Sequence, residues 1–148
     1  MKTRLFIMFI ILSISSLVFA ADASKYIADL DPAKDETTIV KAADWVGEQK
    51  EEDAAKKLVA LLSDGRDMVR LHAVEALGYI AEEEYLDSIH NVILNDKNST
   101  VRYAAVLSAM RINKPEKSKD VFLKAKETET DPYIKDIYSR LEDKAKGK

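Results

Sequence analysis

The stretch that decides the fold reads LLSDGRDMVRLHAVEALGYI over residues 61–80, and it recurs 32 residues later as ILNDKNSTVRYAAVLSAMRI over residues 93–112. Among the matching positions, Asp64 aligns with Asp96, Val69 with Val101, and Arg70 with Arg102. Self-similarity at a fixed spacing is typical of repeat proteins, in which each unit buries its apolar face against the next. The sequence therefore predicts a stack of similar units.

Two further copies of this pattern are weaker. In the C-terminal copy, Glu129 occupies the position of Asp64 and Asp96, and Ile134-Lys135 occupies the position of Val-Arg. On the N-terminal side, residues 42–47 align with residues 73–78, whereas residues 35–41 align with residues 64–70 at a different spacing. The register of the first unit stays open between these two alignments.

Apolar residues within each unit have helical spacing. In the first quoted copy Val69, Ala73, Ala76, Leu77 and Ile80 share one helix face, and a second amphipathic stretch follows after a polar break. Each unit is thus expected to be a helical hairpin, and the chain to be an all-α solenoid of three to four hairpins. The predicted helices cover residues 37–48, 51–63, 67–80, 83–94, 98–112, 115–127 and 131–144. The repeat domain is expected over residues 35–144, with residues 21–34 covering the open end of the stack and residues 145–148 fraying.

Residues that favour the left-handed conformation follow two of these helices. Gly65 and Asn113 can take the positive φ that ends a helix, and Pro115 suits a first helical turn. We expect helix boundaries at these positions.

The composition excludes several classes of protein. Of the 148 residues 47% are hydrophobic and 33% charged, and none is cysteine, so neither a disordered chain nor a disulfide scaffold is expected. Removal of Lys2 and Arg4 from the formal charge of −3 leaves −5. So acidic a chain is a poor candidate for binding nucleic acid through phosphates.

The first twenty residues, MKTRLFIMFIILSISSLVFA, have the pattern of a secretory signal peptide. Two cations precede an apolar run, and Val18 and Ala20 suit the pocket of a signal peptidase. Cleavage is expected after Ala20, with a weaker second site at residues 21–23. An uncleaved membrane anchor is the alternative, but serines interrupt the run before it reaches the roughly 20 residues that a span needs. The mature protein is expected to be periplasmic or secreted from a bacterium.

At this level of detail the repeat resembles a known family. The pattern Asp-x5-Arg with Val before Arg, followed by Ala and then Ala-Leu-Gly, is similar to the HEAT repeat, especially its short bacterial variety. The matching residues are Asp64, Val69, Arg70, Ala73, Ala76, Leu77 and Gly78, and the resemblance covers about residues 35–144. It implies a right-handed solenoid whose second helices line a concave groove that binds proteins. The third unit departs from the pattern, because Ser108, Ala109 and Met110 replace Ala-Leu-Gly.

A row of alternating charges is expected to be structural. It consists of Asp64, Arg70, Asp96, Arg102, Glu129 and Lys135, with the acids in turns and the bases one turn into the next helix. Such side chains can bond between repeats and satisfy the carbonyl groups of turns. We interpret the row as an inter-repeat ladder rather than as a ligand site.

The candidate binding surface is the groove of the second helices. Equivalent positions form polar rows that change from acidic to lysine-rich along the stack, and a protein or peptide fits such a surface better than a compact metabolite does. The candidate residues are Asp53, Lys56, Tyr85, Ser88, Asn91, Lys117, Asp120 and Lys124.

No catalytic constellation, metal site or cofactor is expected. His72 and His90 are the only histidines, without the ligand spacing of a zinc site, and there is no glycine-rich phosphate loop or nucleophile elbow. The leading hypothesis is a non-enzymatic exported adaptor, monomeric on its own, that binds an envelope protein. A permanent structural or regulatory subunit of an envelope complex is the alternative, and an enzyme related to HEAT-like lyases is the third.

Overall fold

The structure is a computed structural model that describes residues 22–147. Over this range it contains helices and turns and no strand, so the all-α prediction is confirmed. The helices are α1 (22–29), α2 (Glu36–Glu48), α3 (Ala55–Leu61), α4 (Asp67–Ile80), α5 (Leu86–Asn95), α6 (Ser99–Ile112), α7 (Pro115–Thr128) and α8 (Pro132–Ala145). The predicted signal peptide and its cleavage after Ala20 lie outside the described residues.

The helices form two layers. We call α2, α4, α6 and α8 the first helices, because each carries the Val-Arg pair or the residues that align with it. We call α3, α5 and α7 the second helices. The first helices α2, α4 and α6 pack side by side, and each second helix packs most closely on the first helix that follows it. Because each second helix thus bridges consecutive units, a single apolar core runs through the stack.

Two of the second helices, α3 and α5, begin later than the sequence predicts, whereas α7 begins at Pro115 as expected. Short 3-10 turns at Glu52–Ala54 and Glu83–Tyr85 precede α3 and α5. No side chain caps either turn, and the amides of Ala54 and Tyr85 donate to carbonyl groups three residues back. These tighter bonds satisfy part of the polar backbone at a helix start that lacks a capping residue.

Left-handed residues end the first helices. Lys50, Ala81 and Asn113 have φ values of 54°, 62° and 56° and follow α2, α4 and α6. The prediction for Asn113 is therefore right, whereas Gly65 lies outside the left-handed region and the prediction for it is wrong. The turn at Gly65 is held instead by Asp64, whose carboxylate accepts from the amide of Arg66 at 2.9 Å.

The N-terminal segment packs against the first unit. The ring of Tyr26 stacks on that of Trp45 with centroids 4.5 Å apart, and Leu30 is buried. Lys57 of α3 donates from Nζ to the carbonyl oxygen of Ile27 at 2.8 Å. Helix α1 thus lies on the end of the stack.

Candidate functional site

Arg70 links two consecutive turns. Its side chain is 6% exposed and donates from Nε and Nη2 to both carboxylate oxygens of Asp96, at 2.8 and 3.0 Å. It also donates to the carbonyl oxygen of Asp64 at 2.9 Å and to the carboxylate of Asp67 at 2.7 Å. The hydrogen bonds that Arg70 donates to Asp96 raise the pKa of Arg70, so the guanidinium is charged at every physiological pH.

Arg102 repeats this arrangement one unit later. It donates to the two carboxylate oxygens of Glu129 at 2.9 and 2.6 Å and to the carbonyl oxygen of Asp96 at 2.9 Å. The hydrogen bond from Arg102 lowers the pKa of Glu129, which also accepts from the amides of Thr130 and Asp131. Asp96 and Glu129 therefore each hold a turn and the arginine of the preceding unit together.

The ladder changes at its two ends. Asp64 pairs with Arg66, which reaches the carbonyl oxygens of Lys34 and Pro32 at 2.8 and 3.2 Å. At the other end Lys135 is exposed and forms no ion pair within residues 22–147.

Two residues of the network were missed by the sequence analysis. The carboxylate of Asp67 accepts from Arg70 and also from Nδ2 of Asn98, at 2.7 Å. Neither residue recurs at the repeat spacing, and so the alignment of units carried no signal for them.

The proposed groove residues differ in exposure, and they lie on the second helices except for Asp53 and Tyr85, which lie in the 3-10 turns before α3 and α5. Tyr85 and Ser88 are half-buried, and Tyr85 packs against the core. Burial raises the pKa of the Tyr85 hydroxyl, and neighbouring carboxylates, first Glu84, raise it further. The remaining candidates are exposed: Asp53, Lys56, Asn91, Lys117, Asp120 and Lys124.

Two of these candidates already have partners within the chain. Lys117 and Lys114 both donate to the carboxylate of Glu83, at 2.6 Å each, and lower its pKa to about 2. The side chain of Asn91 accepts from Asn95 at 2.8 Å. Lys56, Asp120 and Lys124 form no ion pair within the described part of the chain, so their charges are available to a partner.

A second exposed surface lies on the first helices. Large apolar side chains are exposed there, namely Met68, Tyr79, Tyr103 and Met110. The first-helix layer is also packed more closely than the second-helix layer. In a curved stack the more closely spaced layer lies on the inner side. We call these four residues the apolar face; it competes with the second helices as the lining of the groove.

The two histidines have different surroundings. His72 of α4 lies 2.5 Å from the carboxylate of Asp44 on α2, at the surface. His90 of α5 is 7% exposed, and its Nε2 lies 3.0 Å from Oγ of Ser118 on α7. The second contact joins two core-facing polar groups of adjacent second helices.

Stability is expected to fall as the pH drops below about 6.5, because of His90. Burial lowers its pKa in the folded protein, so the unfolded chain takes up the proton at a higher pH than the folded chain does. The stabilisation is complete above the unfolded pKa and is lost as the pH falls through the folded pKa. Urea unfolding at pH 7.5 and 5.0 should show a smaller pH-dependent loss in His90→Gln than in the wild type. Equal losses would contradict this assignment.

A cavity of about 680 Å³ opens between the C-terminal halves of α6 and α8, with α7 as its floor. We call it the C-terminal cavity. Its apolar lining includes Met110, Phe122, Leu123, Tyr138 and Leu141. None of the eight proposed groove residues lines it. Tyr138 is buried, and its hydroxyl has no hydrogen-bond partner among the described residues.

Residues 22–147 contain neither a metal-binding cluster of acidic and histidine side chains nor a helix that could span a membrane. No group of three or more histidine, aspartate or glutamate side chains is arranged to hold a metal ion. In the same part of the chain, no helix combines the length and the apolar character needed to span a bilayer.

Comparison with known proteins gives one family. Residues 55–139 match the family described as HEAT repeats. The match begins at α3 and ends within α8, and so it covers the whole Arg70–Glu129 ladder but not α1 and α2. No curated protein matches the chain.

Proposed function

Since this chain belongs to the HEAT-repeat family, a family of helical scaffolds for protein interaction, we propose that it is an exported, non-enzymatic adaptor for a protein or peptide. The partner binds through the exposed side chains of the second helices. The observation that carries this proposal is the set of exposed charges on these helices that have no ion-pair partner among the described residues. Such a surface recognises an extended partner of complementary charge rather than a compact ligand.

The exposed charges of the second helices differ from unit to unit. The turn before α3 presents Asp53, and the helix itself presents Lys56. The turn before α5 presents acids such as Glu84, and α7 presents both Lys124 and Asp120, all exposed. A partner with basic side chains opposite the turn before α5 and acidic ones opposite the lysines matches this pattern.

Export rests on the sequence of residues 1–20, in which two cations, an apolar run and small residues before Ala21 follow one another. Export would bring the protein to a partner in the cell envelope. Its N-terminal sequence, read from protein isolated from the periplasm or the medium, would begin at Ala21. A chain that keeps residues 1–20 would contradict this part of the proposal.

Two charge reversals should weaken partner binding without unfolding the protein. Lys56 and Lys124 are exposed and unpaired within the described residues, so Lys56→Glu with Lys124→Glu removes recognition charges without breaking an internal bond. Crosslinking in the envelope fraction, followed by affinity measurement on the captured protein, should show a loss of about tenfold or more. Thermal melting should be unchanged.

The apolar face provides the opposing variant. Met68→Ser with Tyr103→Ser removes exposed apolar surface from the first helices, where these side chains are 44% and 40% exposed. If the second helices bind the partner, this variant keeps its affinity. Loss of binding in this variant alone would move the interface to the first helices.

A permanent subunit of an envelope complex is the alternative form of the same scaffold. The two forms differ in the lifetime of the complex. In size-exclusion chromatography of the envelope extract, an adaptor elutes partly as the free chain, whereas a permanent subunit elutes only with its complex.

A further inference from the structure

The C-terminal cavity follows from one departure from the repeat. Gly47 and Gly78 occupy equivalent positions in α2 and α4. A Cβ added at Gly47 would lie 2.9 Å from Cα of Ala76, and one at Gly78 would lie 2.8 Å from Cα of Ser108. The two glycines therefore allow neighbouring first helices to approach closely.

Met110 stands at the same position of α6. The Met110 side chain fills the space into which the next first helix, α8, could pack if a glycine stood there. Helix α8 packs on α7 instead. The C-terminal halves of α6 and α8 consequently stay apart. The space between them is the C-terminal cavity, a product of the sequence of the third unit.

The lining of the cavity suits an apolar chain. The rings of Phe122 and Tyr138 lie 5.8 Å apart at its floor. Met110 and Leu123 are 43% and 37% exposed and leave apolar surface open to an entering molecule. The volume of about 680 Å³ lies within the range of sites that hold small molecules.

The charges at the opening are mostly positive. Lys119 and Lys144 also line the cavity, and both are exposed without an acidic partner among residues 22–147. The one acid there, Glu142, is neutralised by Lys126 at 2.8 Å and by Lys146. An anion at the opening would therefore meet two unpaired ammonium groups in a protein whose net charge is negative.

We propose that the C-terminal cavity binds an anionic amphiphile, a straight-chain carboxylate of medium length. The alkyl chain lies against Met110, Leu123 and the ring of Phe122, and the carboxylate pairs with Lys119 and Lys144. This site shares helix α7 with the second-helix surface but includes none of the eight proposed groove residues, so the two proposals stand or fall on different variants.

The test is calorimetric titration of the protein, expressed from the full-length sequence, with sodium decanoate. Decyltrimethylammonium has a similar chain and the opposite charge, and acetate has the charge without the chain. Decanoate should bind at least about tenfold more tightly than either. In NMR spectra its binding should shift the methyl signals of Met110 and Leu123 and leave that of Ile39, at the other end of the stack, unchanged. Equal binding of the cation, or shifts elsewhere, would overturn the proposal.

Two surface variants separate the contributions. Lys119→Glu with Lys144→Glu reverses the charges at the opening, and Met110→Asn with Leu123→Asn makes the exposed lining polar. Each should weaken decanoate binding about tenfold or more. Lys41→Glu with Lys50→Glu changes the charge equally at the other end of the stack and should have no effect. If the charge reversals at the two ends act alike, the lysines at the cavity do not bind the carboxylate.

A second copy of the chain is the competing occupant. In that case light scattering would show a dimer that Met110→Asn with Leu123→Asn dissociates, and the carboxylate assignment would be wrong. A monomer that binds decanoate supports it.

Discussion

Arg70→Met is expected to lower the free energy of unfolding by about 3–5 kcal/mol. The guanidinium forms a two-point ion pair with Asp96, whose side chain is 5% exposed, and also satisfies the carbonyl group of Asp64. Removal of the guanidinium leaves the buried carboxylate of Asp96 without its charged partner and the carbonyl oxygen of Asp64 without the Arg70 donor. Chemical unfolding in urea measures the effect, which is large against the 5–15 kcal/mol typical of a domain.

Arg140→Met is the matched control. Arg140 pairs with Asp136 at 2.7 Å on the same helix, but the two side chains are 79% and 56% exposed. Water solvates both charges after the change, so we expect a loss below about 1 kcal/mol. If the two arginine variants lose similar amounts of stability, burial is not the reason that the Arg70–Asp96 pair stabilises the fold.

A double-mutant cycle isolates the pair itself. Asp96→Asn removes the charge of the side chain. It keeps an oxygen that can accept from the backbone amide of Asn98, which donates to the Asp96 carboxylate at 2.9 Å. Because each single change breaks the same ion pair, the double variant should lose less stability than the two singles together. Additive losses would mean that Arg70 acts through Asp64 and Asp67 alone.

The fold could be predicted because the same helical period occurs in every unit. Val69 and Leu77 lie on one face of a 3.6-residue helix, and both are fully buried in the structure. The starts of α3 and α5 could not be placed to the residue. Glu52 and Glu83 are compatible with α-helix. A helix start without a capping side chain favours a 3-10 turn, and this preference appears in the backbone geometry rather than in the spacing of residues.

The binding surface is harder to predict than the fold. The repeat places Lys56 and Asp120 at equivalent positions, but it does not say which layer lies on the inside of a curve. The C-terminal cavity had one signal in the sequence, the replacement of glycine by Met110. Its consequence depends on how far apart α6 and α8 come to lie, and no spacing of residues encodes that separation.

Gly78→Ala is expected to destabilise the protein by about 1–3 kcal/mol, although alanine is the better helix former. In an exposed helix the same change would stabilise by about 1 kcal/mol. Here the new methyl group would lie 2.6 Å from Cβ and 2.8 Å from Cα of Ser108 on α6. Ser108 cannot turn aside cheaply, because its hydroxyl donates to the carbonyl oxygen of Val74 at 2.9 Å. The clash with backbone can be relieved only if α4 and α6 move apart.

Gly65→Ala distinguishes this steric effect from the loss of a glycine as such. A Cβ at Gly65 would meet no atom within 4 Å, and the residue does not need a positive φ. Its replacement should leave stability unchanged or raise it by up to about 1 kcal/mol, since alanine restricts the unfolded chain. Unfolding curves that move in opposite directions for the two variants would assign the cost to the close approach of the first helices. If Gly78→Ala is as stable as the wild type, α4 and α6 have room to separate, and Met110 would then not account for the distance between α6 and α8.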